Sequence, residues 1–210
     1  MRKIILLFTI LLFISCNDSN PLYPENDNSE NDTVTIVDYG VGAACGGAIM
    51  SFGGTIYRTY DGGVAPLDEN LQISELARIG DYNFLGNIYH AEVVNNNIWF
   101  AITDYSSFNQ VRVVNDAGVE IASYDVGINP GDFASWNDSW VFVANEGNFG
   151  ASNGSISMID ASGDVFTIPN VGDVVQSIEV YQDKLIAIIN NSHAIKIYDI
   201  TEEGLSLPGI

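Results

Sequence analysis

The amino-acid sequence predicts an all-β protein built from a repeated four-stranded unit, on three observations. From Thr33 onward no window keeps an i, i+3, i+4, i+7 apolar spacing for three turns, whereas alternation of apolar and polar residues is frequent. The 210 residues include 20 Gly, 10 Tyr and 10 Phe with many Asn, Ser and Asp, a mixture suited to short strands and tight turns. Four segments share one layout, and their second strands open at Ile56, Ile98, Trp140 and Leu185, at spacings of 42, 42 and 45 residues.

Composition narrows the function classes. Hydrophobic residues make up 47% and charged residues 16%, enough apolar surface to bury a core. Seven Lys+Arg against 27 Asp+Glu give a net charge of −20, a field that repels phosphate backbones and argues against nucleic-acid partners.

Taken in order, the chain begins with an address. Arg2 and Lys3 precede an apolar run from Ile4 to Ile14, too short for a permanent membrane span. Residues 1–15 therefore read as a signal peptide. The run ends at Ser15-Cys16, which resembles a bacterial lipobox, and Cys16 becomes the expected lipidation site and sole membrane attachment; an ordinary secretion signal is the alternative. Residues 16–33 are polar, acidic and proline-bearing, and read as a flexible tether. Acidic residues soon after the acylated cysteine resemble surface-export signals of Bacteroidota lipoproteins. Cys45, between Ala44 and Gly46, has no neighbouring His or Cys and reads as a small buried hydrophobe.

Residues 34–210 form the folded domain. Each repeat reads strand, short polar turn, apolar strand, loop, alternating strand, Gly or Asp turn, strand. The third strands are expected to end at Leu67-Asp68, Val114-Asn115, Ile159-Asp160 and Tyr198-Asp199. Four-stranded units recurring every 40 to 50 residues or so are the signature of propeller blades; a β-sandwich with regular turns is the competing architecture. In a propeller, Trp140 with Phe142 and Val141 with Val143 would cover opposite faces of one strand, each packed by a neighbouring blade.

The segment Val141 to Gly150, with its Asn145-Glu146-Gly147-Asn148-Phe149-Gly150 loop, followed by Gly154 to Asp160, resembles the YVTN-type β-propeller repeat of Bacteroidota surface lipoproteins. Gly172 to Ser177, Asp183-Lys184-Leu185 and Asn190-Asn191-Ser192 match the next blade. The resemblance covers roughly 131–200 and implies a ring of about seven blades. Four are visible here, so an open arc is expected, either from a truncated coding sequence or completed by a partner.

Strand order then sorts the loops. Short polar turns fall on one rim, and the loops after second strands and between blades fall on the other. The long-loop rim collects Tyr60, Tyr82, Phe84, Tyr89, Tyr105, Phe108 and Phe149, with His90 and His193. The expected ligand-binding set is Tyr82, Phe84, Tyr105, Phe108, Asn145, Glu146, Asn148 and Phe149, because aromatic rings on loops suit capture of a flat or amphipathic ligand. No HExxH, GxSxG, CxxC or P-loop pattern occurs, and Asp160 to Asp164 lacks the spaced ligands of a calcium loop. No catalytic residue, metal or cofactor is expected. The resemblance implies a non-enzymatic outer-membrane lipoprotein that captures a small molecule such as cobalamin for a TonB-dependent transporter. A propeller lactonase or lyase, and an adhesion or scaffold protein, are the alternatives.

Overall fold

The computed structural model describes residues 48–210, so the signal peptide, Cys16, the tether and Cys45 lie outside the described residues. Fifteen strands form four antiparallel sheets. Blade 1 holds β1 (Ile49–Phe52), β2 (Thr55–Tyr60) and β3 (Gly63–Pro66); blade 2 holds β4 (Asn87–Val94), β5 (Asn97–Thr103), β6 (Gln110–Val114) and β7 (Glu120–Asp125). Blade 3 holds β8 (Pro130–Trp136), β9 (Trp140–Asn145), β10 (Gly154–Asp160) and β11 (Val165–Gly172). Blade 4 holds β12 (Val175–Tyr181), β13 (Lys184–Ile189), β14 (Ala194–Thr201) and β15 (Gly204–Leu205). Strands follow chain order within each sheet, and the first strands β1, β4, β8 and β12 pack against one another. That is a β-propeller arc.

Three apolar clusters seal the three interfaces between the four blades. β9 shows why. All six of its residues are buried. Trp140, Phe142 and Ala144 join the cluster shared with blade 4, while Val141 and Val143 join the cluster shared with blade 2, as the alternation predicts. β5 repeats the device: Ile98, Phe100 and Ile102 face blade 1, and Trp99 and Ala101 face blade 3. A strand covered on both faces is apolar throughout. Among the described residues, the same kind of sequence on blade 4 meets a partner on one face only. Leu185, Ala187 and Ile189 are buried against blade 3, while Ile188, Ile195 and Ile197 are exposed.

The turns on the short side are built by side chains capping their own backbone. Asp68 Oδ1 accepts the N–H groups of Asn70 and Gln72, Asn115 Oδ1 those of Ala117 and Val119, and Asp160 Oδ1 those of Ser162 and Asp164. Asp160 to Asp164 is therefore a turn. Blade 4 departs from this pattern because Asp199 pairs with Lys184, so β14 runs on to Thr201, whose hydroxyl caps the turn instead. In blade 1, among the described residues, isolated bridges join Ile79 to Val64 and Ile73 to Leu67 beyond its third strand.

Phe142, fully buried between two blades, and Ile195, exposed on blade 4, give a direct contrast. Phe142→Ala is expected to cost about 3–5 kcal/mol in chemical denaturation, and Ile195→Ala no more than about 0.5 kcal/mol. Equal losses would mean that the outer face of blade 4 is covered.

Candidate functional site

Each of three inner strands carries an irregularity at the equivalent place. The register of β4 shifts between Ile88 and His90, that of β8 between Pro130 and Asp132, and that of β12 between Val175 and Ser177. The bulged residues are Tyr89, Gly131 and Gln176. A bulge re-aims a side chain out of the alternating pattern, and here three of them converge. The Tyr89 hydroxyl is hydrogen-bonded to Glu146 and to Gln176. Gly131 lies beneath the same pair: a Cβ there would sit 3.3 Å from Glu146 Cγ and 3.4 Å from the Tyr89 ring. Burial pushes the Tyr89 phenol up to about 12, with the Glu146 carboxylate adding to the effect. Burial likewise raises the Glu146 carboxyl, and the Tyr89 hydrogen bond partly offsets this. Tyr89 is thus a neutral donor at physiological pH, facing a half-buried acid.

Asn129 holds the surrounding loops in place. It is buried, with φ at +53°, a left-handed conformation that Asn tolerates better than most residues. Its N–H donates to the Phe108 carbonyl (2.7 Å), and its own carbonyl accepts the Glu146 N–H (2.9 Å). Its side-chain oxygen accepts the Thr103 hydroxyl (2.9 Å), and its side-chain amide donates to the Gly147 carbonyl (3.1 Å). Thr103 in turn accepts the N–H of Tyr105. One residue on a blade-to-blade link therefore fixes the loop after β5 and the loop after β9.

The remaining loop geometry follows from short-range caps. Asp104 Oδ1 accepts the N–H groups of Ser106, Ser107 and Phe108 at 2.7–2.9 Å. These bonds, that from Phe108 foremost, hold its carboxyl down to about 2, so this acceptor stays ionised until strongly acid pH. Asn148 donates from Nδ2 to the Ser106 carbonyl of blade 2. Two residues on, the Gly150 N–H donates to the Asp173 carboxylate at the entrance to blade 4. Phe149 stands between these two anchors and is 77% exposed.

The expected ligand-binding residues divide accordingly. Phe84, Tyr105 and Phe149 are exposed on loops of the long-loop rim, and Glu146 and Asn148 are half-buried. Tyr82 does not belong there. It is buried between blades 1 and 2, 5.3 Å from the Phe100 ring, with its hydroxyl donating to Glu120, because the link from Ile79 folds back over blade 1. Phe108 is half-buried against the same cluster. Asn145 is fully buried between blades 2 and 3, its amide directed at Ser157 Oγ and at the Val143 and Ser155 carbonyls. The blade-to-blade links are short: β4 starts at Asn87, β8 at Pro130, and only 173–174 separate β11 from β12.

Sequence reasoning missed Gln176, Gly131 and the role of Tyr89. A signal was present, since the three stand at the repeat's own spacings of 42 and 45 residues. It also missed a groove between blades 2 and 3 on the opposite, short-turn rim, lined by Asn95, Trp99, Tyr124, Asp138 and Asp160.

Sheets of this order, packed inner strand to inner strand, define the β-propeller class. Among solved structures the fold is similar to the computationally designed Ika4 protein, with a TM-score of 0.54 and 12% identity over 73% of this chain and 89% of that one. It is also similar to hydrazine synthase of Kuenenia stuttgartiensis (0.53, 14%, 74% and 51%) and to the Pan2 WD40 domain of Neurospora crassa (0.52, 9%, 75% and 50%). The chain spans about half the length of these last two. At such identities the likeness is one of fold alone. No protein-family model matches the chain, and no curated protein matches it by sequence.

Asn129→Ala would remove the acceptor of the Thr103 hydroxyl proton and the side-chain donor to the Gly147 carbonyl, and would place alanine in a left-handed conformation. A loss of about 2–4 kcal/mol is expected in urea denaturation, with faster amide exchange across 103–108 and 145–150. Asn129→Gly, which keeps the backbone conformation, should recover about 1 kcal/mol of that loss.

Proposed function

We propose that this protein is a non-enzymatic ligand-binding propeller, and that the long-loop rim is where its ligand docks. The observation that carries this is the convergence of Glu146 and Gln176 on the Tyr89 hydroxyl. Three bulges are spent on assembling a polar group at the inner end of the rim, and Phe84, Tyr105 and Phe149 expose apolar rings around it. Flat rings at the margin and a few placed polar groups at the centre form a surface suited to an amphipathic small molecule. Ring stacking contributes on the order of 1 kcal/mol per aromatic beyond its burial.

The same reading extends to location and partner. The lipobox-like Ser15-Cys16 and the acidic tether support a lipid-anchored protein of the outer membrane, exposed at the cell surface. The YVTN-type resemblance of the Asn145 to Gly150 loop supports capture of cobalamin, or a nutrient of similar size, for hand-over to a TonB-dependent transporter. The anchor carries one test. Cys16→Ser should release the protein from the membrane fraction and abolish lipid labelling, and retention of the variant would remove the lipoprotein part of the proposal.

The ligand carries another. Titration of the full chain with cobalamin, read by calorimetry, should give saturable binding. Phe149→Ala should weaken it about tenfold without changing the thermal unfolding midpoint. Unchanged affinity in this variant would move the binding surface away from the rim, and no binding by the parent protein would remove cobalamin as the ligand.

A further inference from the structure

We infer that His90, Glu92 and Asp132 form a binding site for one divalent transition-metal ion such as Zn²⁺, set between the inner strands of blades 2 and 3. This inference is independent of the rim's ligand. His90 and Glu92 are two residues apart on β4 and project to the same side, while Asp132 comes from β8, which packs alongside. His90 Nε2 is 3.5 Å from Asp132 Oδ1 and 3.8 Å from Glu92 Oε2, and the three ligating atoms all lie within 4.8 Å of one another. Both pairs are too long for hydrogen bonds, whose heavy atoms approach to about 2.7–3.2 Å. They are close to the edge of a tetrahedral site, about 3.4 Å when each bond to the ion is about 2.1 Å.

The chemistry of the set agrees with that geometry. One imidazole and two carboxylates suit a borderline cation, and the two negative charges balance a dication. Calcium, which takes about six to eight oxygens, is poorly matched by one nitrogen and two carboxylates. Among the described residues no lysine or arginine pairs with either acid, and the ionisable group facing both is His90. Asp132 is already oriented: its Oδ2 accepts the Ile178 N–H of β12 at 2.9 Å, which turns Oδ1 towards His90. On the other side the His90 ring packs against Phe133, 6.2 Å between centroids. Such outer contacts fix the direction of ligands before an ion arrives. His90 and Asp132 also stand one repeat apart, at 42 residues, each directly after a bulged residue. The bulges thus bring together a ligand pair that the chain separates.

The test uses the full chain, stripped with chelator and titrated with Zn²⁺, with Co²⁺ as a spectroscopic substitute. One equivalent should bind, with visible Co²⁺ bands of a four- or five-coordinate site and no thiolate charge-transfer band. His90→Ala and Glu92→Gln should each weaken binding at least about tenfold, while His193→Ala leaves it unchanged. Glu92 is partly exposed, so Glu92→Gln should keep the metal-free unfolding midpoint of the parent. That separates loss of a ligand from loss of the fold. Affinity unchanged by both ligand substitutions, binding without a defined stoichiometry, or a thiolate band assigning the ion to Cys16 or Cys45 would each overturn the inference.

Discussion

Asn129 is the residue on which the geometry of the long-loop rim depends. A blade-to-blade link must reverse direction in a dry interface, and each backbone group it buries there needs a partner. Asn129 meets that demand by adopting a left-handed turn and using both backbone groups and both ends of its side chain. Because its partners are Thr103, Phe108, Glu146 and Gly147, satisfying one link also sets the positions of two loops from different blades. The exposed rings of Tyr105 and Phe149 thereby stand on a backbone whose polar groups are already committed.

The blades themselves rest on a simpler rule. In blades 2 and 3 the second strand is sandwiched, so its two faces answer to two different neighbours and can be read independently. In β9 the Trp140, Phe142 and Ala144 row is packed by blade 4 and the Val141, Val143 row by blade 2. Several polar side chains enter these seams through hydrogen bonds, while the indole N–H groups of Trp99 and Trp140 and Asn145 Oδ1 are buried there without a hydrogen-bond partner among the described residues. Asn145 and Ser157 meet at 3.0 Å, the Gly127 N–H donates to Ser157, and Ser157 bonds Thr167 at 2.8 Å. A side chain at position 127 would collide with Ser155 and Asn145, so the chain passes there with glycine. Seams of this kind explain why packing is tight even where Asn and Ser interrupt the apolar rows.

The architecture was legible in the sequence because it is written in local chemistry. Strand period, Asp and Asn caps at positions 68, 115 and 160, and the uninterrupted apolar run at 140–144 all act over a few residues. What was not legible depends on pairing across the fold. Tyr82 looks like a loop aromatic until the link folds against blade 1 and takes its ring inside. Asn145 looks like part of an exposed Asn-Glu-Gly-Asn loop, yet it is the last residue of a buried strand. Bulges at 89, 131 and 176 leave no mark in composition, since one of the three residues is Tyr, one Gly and one Gln. The closeness of His90 to Asp132 follows from two strands lying side by side at the axis. Superposing the repeats, rather than scanning for motifs, is what would reveal it.

The three bulges also separate two kinds of selection. None of the three bulged residues belongs to the apolar clusters that hold the blades together. Blades 2, 3 and 4 therefore each carry one bulged position on the inner strand, and a handful of substitutions there would recast the chemistry around Glu146. Duplication of a blade copies the bulge with it, so a new lineage inherits a ready-made socket before it has any use for one. Diversity of ligands among proteins built this way can accumulate without first solving the problem of stability.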